Sequence, residues 1–160
     1  MRIAVGSDHA GYELKMALAE ILRAHGHAVE DFGSADAVES VDYPDYGAAV
    51  GRAVAEGSAE MGLCTCGTGM GIAMAANKIP GIRAAVVHDV TTAVLAREHN
   101  HANVICMGGR TTGMATAADA LEAFMGAAPA GGRHERRIAK LAVLDGSARE
   151  DRETEGGSPR

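Results

Sequence analysis

Aromatic side chains are scarce in this chain of 160 residues, which has no tryptophan, three tyrosines and two phenylalanines. The core must therefore be built from alanine, valine, isoleucine, leucine and methionine. No stretch approaches the roughly 20 apolar residues that a membrane-spanning helix needs. The first residues, MRIAVGSD, are too short an apolar run for a secretory signal and lack a cleavage pattern. We therefore expect a cytoplasmic protein with no membrane partner.

Positive charge and cysteine are also in short supply. Lysine and arginine number 15 against 21 acidic residues, a net charge of -6 that argues against nonspecific binding to nucleic acid. Three cysteines, at 64, 66 and 106, make no disulfide framework and fit a reducing compartment. The length predicts a single domain, which we place at residues 1–145. Residues 146–160 are charged and Gly/Ser-rich, which predicts a disordered tail.

Short apolar runs alternate with helical patterns along the chain. The predicted strands cover residues 2–6, 27–32, 61–65, 82–88 and 103–107. The predicted helices cover about residues 11–25, 42–55, the segment after the glycine loop through 77, 90–98, 112–125 and 132–144. Strands alternating with crossover helices predict a parallel sheet, and continuously apolar strands predict that both of its faces are covered. The predicted fold is a three-layer α/β/α sandwich with about five strands.

Ligands of such sheets bind beyond the carboxyl ends of the strands. Four polar groups fall at these ends, namely Ser7-Asp8-His9, Cys66 to Gly71, His88-Asp89 and Gly108-Gly109-Arg110. The segment His99-Asn100-His101 instead precedes a strand, at the opposite edge of the sheet. It would reach the same site only across a subunit interface.

The glycine loop is the first candidate for chemistry. Alternating Gly67, Gly69 and Gly71 allow backbone N–H groups to turn toward an anion, and the following helix adds its positive end. The pattern is neither the dinucleotide-binding nor the P-loop motif. The alternative is a tight turn that needs only small residues.

Cys66 stands directly before this loop. A thiol that faces a helix N-terminus is stabilised as a thiolate and can act as nucleophile or general base, whereas a buried free cysteine usually serves as a small apolar residue. A metal pair of Cys64 and Cys66 with His99 and His101 has no standard zinc spacing. We therefore expect no metal.

The remaining polar candidates have two interpretations each. Asp8 and His9 suit sugar hydroxyls or proton transfer, or else an ordinary helix cap. Arg133 and Arg137 lie four residues apart on one helix face, which suits a phosphate or a solvated basic surface. His99 with Asn100 suits either chemistry or a helix C-terminus, and for His88 and His101 we favour structural roles.

Seven motifs occur in one order over roughly residues 1–144: DHAGYELK, DYPDY, CGTGMGIAMAANK, GIRAAVV, AREHN, NVICMGGR and GGRHERRI. In this the sequence resembles the ribose-5-phosphate isomerase B family, which also includes galactose-6-phosphate isomerase subunits. The resemblance implies a Rossmann-like sheet, no cofactor, and a homodimer or homotetramer whose active site lies between two subunits. It further implies interconversion of ribose 5-phosphate and ribulose 5-phosphate through a cis-enediolate, in the pentose phosphate pathway.

The resemblance also implies residue roles. Cys66 matches the catalytic base, and members without a cysteine use a glutamate just after the loop, where this chain has Ile72. Thr68 and the N–H groups of the loop would hold the enediolate oxygens, and His99 would open the sugar ring. Implied substrate contacts are Asp8, His9, Tyr43, Gly67, Gly69, Met70, Gly71 and Asn100, with Arg110, Arg133 and Arg137 on the phosphate.

Two alternatives remain open from the sequence. The loop Ser34 to Val41 is variable in the family and near the sugar's expected position, so the substrate can instead be an allose, galactose or tetrose phosphate. A different class is a non-catalytic module that binds nucleotide or phosphate, which would have no need of Cys66 or His99.

Overall fold

The computed structural model describes residues 1–148. The tail predicted at 146–160 therefore lies mostly outside the described residues. Its first three residues form a turn after the last helix. In that turn the Gly146 N–H donates to the Val143 carbonyl at 3.2 Å, and the Ala148 N–H donates to the Ala142 carbonyl at 2.9 Å.

Strands and helices alternate along the described residues 1–148, as the apolar pattern predicted. The five strands are β1 (Arg2–Ser7), β2 (Ala28–Asp31), β3 (Met61–Cys66), β4 (Ala84–Val86) and β5 (Val104–Gly108). The six α-helices are α1 (Tyr12–Ala24), α2 (Tyr43–Ala55), α3 (Met70–Ala76), α4 (Val90–Asn100), α5 (Met114–Gly126) and α6 (Arg133–Leu144). A 3-10 turn, His9–Gly11, leads into α1.

All strands run parallel, in the order β2-β1-β3-β5-β4. The chain first moves outward from β1 to β2 and then crosses β1 to form β3. This reversal puts a topological switch point at the carboxyl ends of β1 and β3, where open sheets bind ligands. Asp8 and Cys66 lie at these two ends.

The core has two halves because alternate side chains of each strand point to opposite faces. On one face α1, α4 and α5 pack against Ile3, Val5, Leu63, Ile105 and Met107. On the other face α2 and α3 pack against Ala4, Cys64, Val104 and Cys106. Covering both faces explains why the central strands β3 and β5 are buried at every position and confirms the predicted three-layer α/β/α class.

The edge strand β4 is shorter than the predicted 82–88. The Asn77 side chain bonds both backbone groups of Ala84, accepting from its N–H and donating to its carbonyl, each at 2.8 Å. The Asn103 amide oxygen accepts from the Arg83 N–H at 2.8 Å. These side-chain amides satisfy backbone groups at the beginning of the strand. No helix among residues 1–148 is both long and apolar enough to cross a membrane.

Candidate active site

Three loops join at the carboxyl edge of the sheet. The Cys66 carbonyl accepts from the Gly109 N–H at 2.8 Å, and the Gly67 carbonyl accepts from the Arg110 N–H at 3.0 Å. The Asp8 N–H donates to the Thr65 carbonyl at 3.3 Å. The loops that follow β1, β3 and β5 are therefore one connected surface, as their positions at parallel strand ends predicted.

The Cys66 thiol lies inside the turn of the glycine loop. Its side chain is only 4% exposed, and its Sγ accepts a hydrogen bond from the Gly69 N–H at 3.1 Å. Gly69 has a φ of +78°, and a Cβ there would lie 2.9 Å from the Met107 carbonyl carbon. Only glycine lets the loop turn back in this way. The donated N–H stabilises negative charge on the sulfur.

The rest of the loop offers further donors. Met70 N–H lies 3.4 Å from the Thr68 hydroxyl oxygen, and the Gly71 N–H is in the first turn of α3, where no intrahelical acceptor exists. Because α3 has only seven residues, individual N–H groups matter more than the helix dipole. The Gly69 N–H is already engaged by the thiol. Of the donors predicted for an oxyanion, those that remain are the N–H groups of Gly67 and Gly71 and the hydroxyl of Thr68.

Tyr43 covers the loop from the start of α2. A Cβ on Gly71 would lie 2.7 Å from two carbons of the Tyr43 ring, so the ring sits directly over that glycine. Nearby, the Val41 N–H donates to His9 Nδ1 at 3.3 Å. A neutral His9 ring therefore carries its proton on Nε2.

Asp8 and Arg110 complete this edge. Asp8 is 6% exposed, and its Oδ1 accepts from the Gly11 N–H at 2.9 Å, which confirms its capping role. The cap uses one of the two carboxylate oxygens. The exposed Arg110 side chain lies along the glycine loop, since a Cβ on Gly67 would be 3.4 Å from its Nη1. A cation thus borders the loop on the side away from Tyr43.

His99 and Asn100 lie at the opposite edge of the sheet. They occupy the last turn of α4, which starts near the carboxyl end of β4 and finishes before β5 begins. An eleven-residue helix is about 16 Å long, more than the length of a five-carbon sugar phosphate. Within one chain, His99 and Cys66 therefore cannot act on the same small molecule, as their positions in the predicted sheet indicated.

A second group of side chains surrounds His99. Its ring stacks on His134 of α6, with centroids 4.3 Å apart and planes 13° from parallel. Arg133 Nε lies 3.4 Å from His134 Nε2, and Arg133 and Arg137 are both exposed on α6. Burial, the neighbouring His99 and the two arginines lower the pKa of His134 below its usual 6.5. The sequence prediction missed His134, whose only signal is its place beside Arg133 in GGRHERRI.

His88 and His101 make contacts that suit the structural roles expected for them. His101 follows the last residue of α4 with a φ of +47°, and its Nε2 lies 3.2 Å from the Ala130 carbonyl oxygen. His88 is exposed, and its backbone N–H donates to the Thr92 hydroxyl oxygen. The sheet separates the cysteines of β3 from the end of α4. In the part of the chain that the structure covers, no three His, Cys, Asp or Glu side chains gather as a metal site.

The three cysteines differ in what they can do. Cys64 of β3 and Cys106 of β5 are free thiols at neighbouring positions of adjacent strands, and both are fully buried. A hydrogen bond with Cys64, together with burial, raises the pKa of Cys106 well above its usual value. Cys106 is therefore a protonated core thiol. Of the three, Cys66 alone ends its strand at the glycine loop.

The fold of this chain recurs in known proteins. The family model described as Ribose/Galactose Isomerase matches residues 3–141, and the chain belongs to this family. That confirms the resemblance stated from the motifs.

Individual relatives agree. Ribose-5-phosphate isomerase B of Escherichia coli is 40% identical over 144 residues, 90% of this chain and 96% of the relative. The galactose-6-phosphate isomerase subunit LacB of Clostridium acetobutylicum is 45% identical over 125 residues, 78% of this chain and 72% of the relative. The solved structure of Clostridium thermocellum ribose-5-phosphate isomerase B superposes with a TM-score of 0.90 at 45% identity, covering 92% of this chain and 99% of that one.

Proposed function

We propose that this protein is an aldose–ketose isomerase that interconverts ribose 5-phosphate and ribulose 5-phosphate, with Cys66 as the general base. The observation that carries the proposal is the Cys66 sulfur, held by the Gly69 N–H at the mouth of a loop rich in free donors. Relatives named ribose-5-phosphate isomerase B, which match nearly the whole length of this chain, support it. The unpaired cysteines suit the cytoplasm as its location.

The reaction needs a base and a place for negative charge. The proton on C2 of an aldose is weakly acidic, so its removal requires a positioned base and stabilisation of the oxygen that becomes negative. Cys66 as thiolate takes this proton, the C2–H electron pair becomes the C1–C2 double bond, and the aldehyde oxygen becomes an oxyanion. The O2 proton then moves to O1, and the thiol returns its proton to C1 to give the ketose.

The glycine loop divides its donors between the two charges. The Gly69 N–H stabilises the thiolate before the proton moves. The hydroxyl of Thr68 and the N–H groups of Gly67 and Gly71 stabilise the enediolate oxygens after it moves. Because these donors are fixed by the fold, little reorganisation is needed during the reaction.

The rest of the substrate is bound by two copies of the chain. Asp8, His9, Tyr43 and Arg110 come from the copy that supplies Cys66. A second copy supplies His99 for ring opening, together with Asn100, Arg133 and Arg137. Binding of the phosphate by arginine forks positions the reacting carbons at the other end of the sugar.

The proposed homodimer, or a homotetramer built from it, has a candidate contact face beside the open edge of β4. A groove of about 570 Å³ lies there between β4, the end of α3 and α6. The exposed side chains of Leu141 and Leu144 line this groove. Val90 and Leu95 of α4 are also exposed apolar side chains. Exposed apolar side chains beside this edge strand favour association with a second copy.

The first test is Cys66→Ala. Loss of the base lowers kcat by about 10²- to 10⁴-fold with ribose 5-phosphate, while the circular dichroism spectrum stays native. Cys106→Ala is the matched control, because it removes a buried thiol from the neighbouring strand and leaves the loop untouched. Turnover near that of the wild type in Cys66→Ala contradicts the assignment of the base.

A second candidate substrate is another sugar phosphate, and the LacB relative favours it. The chemistry at Cys66 is the same, so the distinction lies in kcat/KM across ribose 5-, allose 6-, galactose 6- and tetrose phosphates. A tenfold or greater preference for ribose 5-phosphate supports the first proposal. Tight nucleotide binding without isomerisation of any sugar phosphate indicates the binding-module alternative instead.

A further inference from the structure

Lys15 is a completely buried cation in α1. Its side chain has 0% exposure, and its Nζ donates to both oxygens of Asp31, at 2.8 and 2.9 Å, and to the Ser34 carbonyl at 2.9 Å. The three ammonium protons thus have three acceptors. Burial of a charge is costly unless it is paired in this way. Neither the fold prediction nor the proposed chemistry gives Lys15 a role.

The acceptors of Lys15 lie at and just before the start of one segment, residues 33–42, which we call the cover loop. Asp31 ends β2 just before it, and Asp31 Oδ1 also accepts from the Gly33 N–H at 2.9 Å. Ser7, the last residue of β1, donates its N–H to the Gly33 carbonyl at 2.6 Å and accepts from the Ser34 N–H at 2.7 Å. The beginning of the cover loop is therefore held by Lys15 of α1 and by Ser7, the residue directly before Asp8.

The far end of the cover loop reaches the candidate site. Val41 donates its N–H to His9, and two residues later the ring of Tyr43 lies over Gly71. Between the ends, the Asp36 carboxylate accepts the N–H groups of Val38 and Glu39, at 2.8 and 2.9 Å. These two bonds constrain the middle of the loop, which links the anchor at its start to the contacts of Val41 and Tyr43 at its end.

Aromatic rings support the same anchor. Lys15 Nζ lies 5.1 Å from the centre of the Tyr12 ring, a cation–π distance. At the loop's first residue, a Cβ on Gly33 would lie 3.0 Å from Cδ1 of Tyr46. The start of the cover loop is thus held from α1 on one side and packed against α2 on the other.

We propose that Lys15 is a positioning residue that, through the cover loop, holds the His9 imidazole and the Tyr43 ring where the sugar binds. The placement of His9 and Tyr43 is a statement about the fold, and its effect on the sugar rests on the proposed function. Lys15 contacts no reacting atom in this arrangement, because its three protons are all used by Asp31 and Ser34.

The first test reads the His9 ring directly. In wild-type protein, 15N NMR of the imidazoles should show His9 with its proton on Nε2 and Nδ1 as acceptor, assigned among the seven histidines by His9→Gln. Lys15→Met keeps the length of the side chain and removes the charge. We expect the His9 Nδ1 resonance to move and the two tautomers to mix, because Val41 is no longer held. An unchanged His9 spectrum in folded Lys15→Met overturns the proposal.

The second test separates binding from chemistry. Displacement of His9 and Tyr43 weakens the binding of the substrate and of the transition state alike. KM for ribose 5-phosphate therefore rises about tenfold, while kcat stays within about threefold of the wild-type value. Leu22→Ala is the control, because Leu22 is buried at the other end of the same helix and its loss destabilises the fold without touching the cover loop. An equal rise in KM in Leu22→Ala contradicts a specific role for Lys15.

A third variant covers the case in which Lys15→Met does not fold. Asp31→Asn weakens the same anchor from its part-exposed end, where water can replace the lost interaction. It should move the His9 resonance and KM in the same direction by a smaller factor, and wild-type values for both overturn the proposal. Absence of isomerase activity in the wild type instead contradicts the proposed function, and the NMR comparison still decides whether Lys15 places His9.

Discussion

The stacked rings of His99 and His134 show how one residue sets the conditions for another. Rings 4.3 Å apart cannot both become positive without mutual repulsion, and Arg133 and Arg137 add to the positive charge nearby. The lowered pKa of His134 keeps its ring neutral at physiological pH. In the proposed reaction, His99 therefore moves protons beside a neutral neighbour.

This pairing predicts a pH dependence of stability. The unfolded chain binds a proton on His134 at its usual pKa of 6.5, whereas the folded chain binds it only at lower pH. The unfolded state is therefore favoured as pH falls below about 6.5, and stability rises again with pH. Between pH 7.5 and 5.5 the melting temperature of the wild type should fall more than that of His134→Gln. Parallel melting curves for the two proteins would contradict this coupling.

Single residues were predictable where local sequence determines their position. Cys66, Asp8 and Arg110 follow strands that the apolar pattern predicts, and parallel strands end at one edge. The anchoring role of Lys15 depends on Asp31, which a different element supplies, and no local pattern reports that contact. One signal was present, because Lys15 shares the buried helix face of Leu18 and Leu22, where a lysine is out of place.

At the scale of elements, the junction between α1 and β3 determines the position of the site. Gly11 lies directly on the end of β3, where its carbonyl accepts from the Thr65 hydroxyl at 2.8 Å. A Cβ on Gly11 would be 2.6 Å from the Cys66 backbone nitrogen. The absent side chain is what allows the 3-10 turn of His9 to approach the thiol.

Gly11→Ala should therefore cost both stability and activity. The added methyl group meets backbone atoms that cannot rotate away, so the free energy of unfolding falls by about 1–3 kcal/mol and the turn moves away from Cys66. Urea denaturation and isomerase assays measure the two effects. Gly126→Ala is the control, since that exposed position ends α5 with nothing within 4 Å of an added Cβ. Equal stability of the two variants would show that the contact is not tight.

The elements themselves were predictable to within a few residues, because short apolar runs alternate along the chain with segments of helical periodicity. The order of the sheet was not, since nothing local places β5 between β3 and β4. The length of β4 was also overestimated. Its beginning lies between the side-chain amides of Asn77 and Asn103, whose contacts the apolar run from Ile82 does not reveal.

At the scale of the whole molecule, the residues proposed for the site fall into two groups. The thiol, the glycine loop and Arg110 occupy one edge of the sheet, and His99 and the arginines of α6 occupy the other. A two-fold dimer brings unlike edges of two copies together twice, so that each pair forms two equivalent sites.

Mixing two inactive variants tests this arrangement. Cys66→Ala and His99→Asn each lack one half of every site, but a heterodimer of the two contains one site with both wild-type residues. Random exchange of subunits should restore about a quarter of the wild-type activity. The control mixes Cys66→Ala with the variant that carries both substitutions, and this mixture should restore no activity. Failure to recover activity, with subunit exchange shown by mass spectrometry, contradicts a site shared between subunits.

The placement of the tyrosines has an optical consequence. Tyr43 covers Gly71, Tyr46 packs on the first residue of the cover loop, and Tyr12 lies beneath the ammonium of Lys15. The chain has no other tyrosine and no tryptophan. Its tyrosine fluorescence therefore originates entirely from the ring over the glycine loop and from two rings at the anchor of the cover loop, so the unlabelled protein carries native reporters of both.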